Sequence, residues 1–88
     1  MPTPHLTSEA LKFIRGLPDK HARQVLLKII ELAQNPYPND HKKLHGSDLL
    51  RADAGEYRII YRIDGDTLDI QLVGKRNDDE VYRRIRRK

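Results

Sequence analysis

The spacing of apolar residues changes period once, near the middle of the chain. In the first half it is helical. Residues 8–16 predict a short helix: Ser8 can cap it, and Ala10, Leu11, Ile14 and Leu17 form one apolar stripe. Gly16-Leu17-Pro18 interrupts it, and Pro18 opens a second helix where its missing N–H is no loss. Ala22, Val25, Leu26, Ile29, Ile30 and Ala33 then recur at three- and four-residue steps. Asn35-Pro36 ends this helix and Pro38 keeps it from resuming. So short a turn predicts an antiparallel helical hairpin.

In the second half the period falls to two. Residues 49–52 form a plausible short strand. Residues 57–63, Tyr-Arg-Ile-Ile-Tyr-Arg-Ile, form a stronger one, rich in β-branched and aromatic side chains. Asp64-Gly65 follows as a hairpin turn, and residues 67–73 return, with Leu68, Ile70 and Leu72 alternating against Asp69 and Gln71. The expected fold is α+β: a helical hairpin packed on a small curved antiparallel sheet, each helix covering one face of a three-stranded meander. Asn77 and Glu80 resemble a capping box at the head of a short C-terminal helix. Pro2 and Pro4 leave residues 2–6 a poor strand, since each removes a donor.

Composition narrows the function classes. The 88 residues make one domain, residues 1–88, without repeat or linker. Without cysteine there is no disulfide, thiol nucleophile or thiolate-bound zinc. No signal peptide and no membrane-spanning run is visible, which points to the cytoplasm. Lys and Arg number 17 against 13 Asp and Glu, a net charge of +4. Residues 74–88 hold seven of the bases and three of the acids, so this tail alone accounts for the net charge. Such a cluster suits a polyanion, although bases at a helix end also answer the helix dipole.

Three segments carry a family resemblance. Gly55-Glu56-Tyr57-Arg58-Ile59-Ile60-Tyr61 resembles the "G-x-YR-hydrophobic-x-Y" strand of the RelE/ParE toxin superfamily. Val73-Gly74-Lys75-Arg76 through Glu80-Val81-Tyr82 is similar to the "VGKR…EVY" ending of its RelE branch, and Lys43-Leu44-His45-Gly46 to its "KL-x-G". The three stand in the family's order and separation, and with the helical hairpin upstream the resemblance covers nearly the whole chain. The resemblance implies a toxin of a toxin–antitoxin pair, a metal-independent endoribonuclease that binds the ribosomal A site. There it would cleave mRNA by attack of a ribose 2′-OH on its own 3′-phosphate. That reaction needs a proton acceptor, a stabiliser for the charged phosphorane and an acid for the leaving oxygen.

Carried onto this chain, the resemblance makes Arg58 the clamp on the scissile phosphate, and Arg76 an acid or charge stabiliser at the leaving oxygen. Tyr82 would stack on a base or orient the 2′-OH, and Arg51 would contact base or phosphate. Lys75, Lys43, Arg83, Arg84, Arg86 and Arg87 are expected to bind mRNA and rRNA phosphates. Some relatives carry a lysine two residues before the Arg51 position, where this chain has Leu49. The general base is therefore open among His41, His45, Asp53 and Glu56. His41 and His45 have a zinc-compatible spacing only on a helix, which the flanking Pro38 and Gly46 oppose, so no metal or other cofactor is expected. The expected partners are mRNA, rRNA and a cognate antitoxin, with no membrane. Two alternatives remain: a ParE-like protein that inhibits DNA gyrase by binding alone, for which Arg76 and Tyr82 are the discriminating residues, and a generic basic RNA-binding module.

Overall fold

Two helices and five strands make up residues 1–77, the part of the chain that the computed structural model describes. In order they are β1 (Thr3–Leu6), α1 (Ser8–Arg15), α2 (Asp19–Gln34), β2 (Lys42–Lys43), β3 (Leu50–Ala54), β4 (Tyr57–Asp64) and β5 (Thr67–Lys75). The helix expected from Asn77 onward lies outside the described residues. The sheet order is β1-β5-β4-β3-β2. Its centre is the expected antiparallel meander of β3, β4 and β5. Two edges were not read from the pattern. The two residues of β2 pair antiparallel with β3, and β1 runs parallel to β5, which makes the sheet mixed. The front strand forms despite Pro4 because it is an edge, where one side of the backbone needs no partner.

Both helices lie on the same face of the sheet, contrary to the expectation that each would cover one. Ala10 and Ile14 of α1 join Val25, Ile29, Leu32 and Ala33 of α2 in a single cluster with Ile59, Tyr61, Leu68, Ile70 and Val73. The physical reason is the connection: three residues between helices hold them side by side in one layer. The buried arc of α2 is also narrower than its apolar pattern. Val25, Ile29, Leu32 and Ala33 are buried, whereas Leu26, Leu27 and Ile30 are exposed. At the start of α1 the cap is Thr7 rather than Ser8. Its hydroxyl accepts from the Ala10 N–H at 3.1 Å and donates to the Gln71 carbonyl at 2.8 Å, tying the helix start to β5.

Strand β4 is held by its tyrosines. Tyr57 is buried, its hydroxyl is 2.7 Å from His21 Nδ1, and its ring meets Phe13 edge-on. Tyr61 is fully buried and donates to the Pro36 carbonyl at 2.6 Å, fastening the loop after α2 to the sheet. Burial, with help from the charge of Asp40 and from Tyr37, pushes the Tyr61 hydroxyl far above its ordinary value, so it remains a donor. Between Ile60 and Tyr61 the register with β5 shifts: Ile60 faces Leu72 while Tyr61 faces Ile70, leaving Gln71 as an extra residue. The bulge carries Leu72 to the opposite face from Leu68 and Ile70. There it packs with Ile60, Leu44 and Leu49 as a second, small apolar cluster.

Two contacts outside the core generate predictions. Gly55, in the β3–β4 turn, has a φ of +60°, and a Cβ there would run into the Gln24 side chain of α2. Gly55→Ala should lower stability by about 1–2 kcal/mol from the left-handed backbone alone. The urea midpoint would report this, and an unchanged midpoint would remove the assigned strain. Asp40 accepts from the Asp53 backbone N–H at 3.3 Å and lies 3.3 Å from Lys28 Nζ. Burial opposes its charge, but the Asp53 N–H and Lys28 outweigh burial and hold its carboxyl below the ordinary 3.8. A depressed folded pKa stabilises above the unfolded value and is lost as pH falls through the folded one. Asp40→Asn should therefore be less stable than the parent near neutral pH. The gap in urea midpoint should narrow as pH drops past 3.8. A gap constant with pH would show that the charge is not what matters.

Candidate nucleic-acid interface

The face of the sheet away from the helices is built by strand alternation. Directly opposed residues of paired strands point to the same side. With Ile59 and Tyr61 committed to the helix face, Arg58, Ile60 and Arg62 take the other. Arg51 pairs with Ile60, and Lys42 with Arg51, so one row reads Lys42, Arg51, Ile60, Leu72. The next row reads Asp53, Arg58, Gly74. Arg58 and Arg51 are thus diagonal neighbours on adjacent strands. Gly74 flanks Arg58 with no side chain at all. The Arg58 side chain is only 14% exposed, and its Nε donates to Asp53 Oδ1 at 3.0 Å.

The other end of this face is balanced differently. Arg62 Nε lies 3.4 Å from Asp69 Oδ2 and its Nη1 is 3.7 Å from Asp48 Oδ2. Asp69 also accepts from Gln71 Nε2 at 2.5 Å and stands 3.6 Å from His5 Nδ1. Arg62 is therefore held between carboxylates, whereas among the described residues the two rows around Arg58 bring together three cations, Lys42, Arg51 and Arg58, and one carboxylate, Asp53. A phosphate is better accommodated at the Arg58 end.

The expected site residues are distributed unevenly. Arg51 and Arg58 come together as described. Lys43 pairs with the buried Leu50, which turns it to the helix side; Lys42 is the lysine that shares the face of Arg51. Lys75 pairs with Tyr57 and also points to the helix side. Arg76 follows at the end of β5, its backbone N–H donating to the Glu56 carbonyl at 2.7 Å. A cleft there is lined by Glu56, Tyr57, Lys75, Arg76 and Asn77. Tyr82, Arg83, Arg84, Arg86 and Arg87 lie outside the described residues. Lys42 was missed because pairing register between a two-residue strand and its neighbour leaves no mark in the sequence.

Among the candidate bases, Asp53 is engaged with Arg58. The His41 ring packs edge-on against Tyr37, and its Nδ1 is 2.6 Å from the Pro38 carbonyl. His45 is exposed in the loop before β3 and Glu56 is exposed at the β3–β4 turn. Leu49 closes over Ile60 and Leu72, so the position where some relatives have lysine is here part of an apolar floor. Residues 41–45 are not helical, and among the described residues no three His, Asp or Glu groups converge as a metal site would require. No helix among them is long and apolar enough to cross a membrane.

Comparison with known proteins gives three results. The family model of the ParE toxin of type II toxin–antitoxin systems matches residues 5–80. No curated protein matches the chain significantly. Solved toxin structures match closely in shape. RelE in the archaeal RelE–RelB complex from Pyrococcus horikoshii OT3 superposes with a TM-score of 0.77 at 28% identity, covering 86% of this chain and 96% of that one. The RelBE2 toxin–antitoxin complex from Mycobacterium tuberculosis gives 0.75 and 28%, covering 85% and 98%. The isolated RelE toxin of E. coli gives 0.74 and 26%, covering 99% and 97%. The sequence motifs, the sheet topology and these matches agree, and the chain belongs to the RelE/ParE superfamily of toxins of type II toxin–antitoxin systems.

Proposed function

We propose that this toxin is a ribosome-dependent endoribonuclease that cleaves mRNA by 2′-OH attack on the adjacent phosphodiester and so stops translation. The observation that carries the reading is the cationic face: Arg58 beside the bare Gly74, with Arg51 and Lys42 in the next row. A guanidinium fixed on a strand matches the phosphate fork and meets charge as it develops on the phosphorane. Arg76 at the end of β5 supplies a second cation for the leaving oxygen. Tyr82 is proposed to orient the nucleophile or stack on a base. Arg83, Arg84, Arg86 and Arg87 are proposed to hold mRNA or rRNA phosphates through salt-dependent contacts, with Lys75 and Lys43 contributing more weakly from the helix side. The ribosome would contribute orientation that 88 residues are too few to supply. Its partner in the cell is proposed to be a cognate antitoxin, as in the RelE–RelB complexes. The exposed strip of Leu26, Leu27 and Ile30 on α2 is the kind of surface that a protein contact covers.

A second reading has its own support. The matching family model is that of ParE toxins, and a ParE-like chain would inhibit DNA gyrase by binding without cleaving RNA. Primer extension on an mRNA in a purified translation system, with and without ribosomes, separates the two. New 5′ ends only with ribosomes support cleavage; intact mRNA together with loss of gyrase supercoiling supports the other reading.

On the cleavage reading, Arg58→Ala and Arg76→Ala should each lower the single-turnover rate at saturating ribosome by about 100- to 1,000-fold, with little change in binding. Circular dichroism would first establish that both variants are folded. Parental rates in both would show that the chemistry lies elsewhere. Lys42→Ala should weaken ribosome binding more than Lys43→Ala and flatten its salt dependence, because only Lys42 shares the face of Arg51. Equal effects of the two lysines would disconnect this face from RNA.

A further inference from the structure

Clamping a phosphate requires the Arg58 guanidinium to sit at one angle, and arginine by itself has many. Register settles which side of the sheet Arg58 occupies, but not how its planar end is turned. One constraint on that angle comes from the directly opposed residue on β3. Asp53 and Arg58 are Cα partners, so their side chains leave the same face, and Asp53 Oδ1 accepts from Arg58 Nε at 3.0 Å. The Arg58 side chain is 14% exposed and that of Asp53 34%, so the pair is partly shielded from solvent. The contact is made through Nε. A carboxylate bound across both terminal nitrogens would occupy the edge that a phosphate uses; the Asp53 contact is made at Nε instead.

Asp53 is itself anchored. Its backbone N–H donates to Asp40 Oδ2 at 3.3 Å, and Asp40 Oδ1 is 3.3 Å from Lys28 Nζ on α2. Polar contacts therefore run from the helix layer to the backbone of Asp53, the residue whose carboxylate holds Arg58. On the far side the residue paired with Arg58 on β5 is Gly74, which has no side chain to steer the guanidinium.

We propose that Asp53 is a positioning residue: its carboxylate fixes the Arg58 guanidinium through Nε and directs the fork at the reacting phosphate. The inference rests on the cleavage reading above and gives Asp53 a role other than that of proton acceptor.

Two measurements test it. In the free protein, NMR follows exchange of the Arg58 Nε–H. Asp53→Ala should speed that exchange severalfold, and Asp53→Asn, which keeps a carbonyl acceptor, should retain part of the protection. In single-turnover cleavage on the ribosome, Asp53→Ala should slow cutting by about 10- to 100-fold at unchanged ribosome affinity. Asp53→Asn should recover most of the rate. The double variant Arg58→Ala/Asp53→Ala should be no slower than Arg58→Ala, because Asp53 acts only through Arg58. Asp48→Ala, which removes a carboxylate beside Arg62 instead, should cut at the parental rate.

Additive losses in the double variant, or an Asp53→Asn as slow as Asp53→Ala, would make Asp53 an independent acid–base group and overturn the proposal. Unchanged Nε–H exchange in Asp53→Ala would overturn it whatever the activity. A parent protein that does not cut would sink the cleavage reading and the role at a reacting phosphate with it. The exchange result would still tell separately whether Asp53 holds Arg58.

Discussion

The register of β4 is the constraint on which the rest depends. Strand side chains alternate, so a slip by one residue would turn every one of them to the other face. Tyr57 and Tyr61 prevent the slip. Each brings a large ring into the helix-facing core, and each has a hydroxyl that must find a partner there: His21 on α2 for one, the Pro36 carbonyl for the other. A slipped strand would leave both partners unmet and set arginine against the helices. The same two side chains that complete the core thus decide that Arg58 faces outward.

The bulge at Gln71 gives the sheet its second face. Without it, β5 would keep Leu68, Ile70 and Leu72 on the helix side, and the outer face would have no apolar support beneath its charges. With it, Leu72 meets Ile60 under Leu44 and Leu49. This dry floor lies in the row of Arg51 and Lys42. Cations beside an apolar surface are less screened than cations surrounded by water, which favours a bound phosphate. Leu49 contributes to the floor, and in doing so replaces a cation that some relatives carry.

Charge on that face is graded along the strands. Arg62 is held by Asp69 and Asp48, so two carboxylates stand against one guanidinium at its end. At the other end the carboxylate of Asp53 meets Arg58 at Nε, and Arg51 and Lys42 share the adjoining row. The acids thus hold the two arginines differently, Arg62 by two carboxylates and Arg58 by Asp53 at Nε. The same ladder links the face to the helix layer through Asp40 and Lys28.

The sequence by itself determined the helical hairpin, the meander, the turns at residues 16–18 and 64–65, and the resemblance that names Arg58, Arg51 and Arg76. These are local properties: period, turn chemistry and motif are written in neighbouring residues. The tertiary structure decided what depends on contacts distant in sequence. It placed both helices on one face, because three linking residues cannot carry the chain around a sheet. It formed β1 beside β5 and β2 beside β3, pairings that short segments do not announce. It chose Lys42 over Lys43 for the face of Arg51, and it set Asp53 against Arg58, since both follow from register. It sent Leu72 away from Ile70, because a one-residue bulge reverses a strand's sides without any change in its alternating pattern.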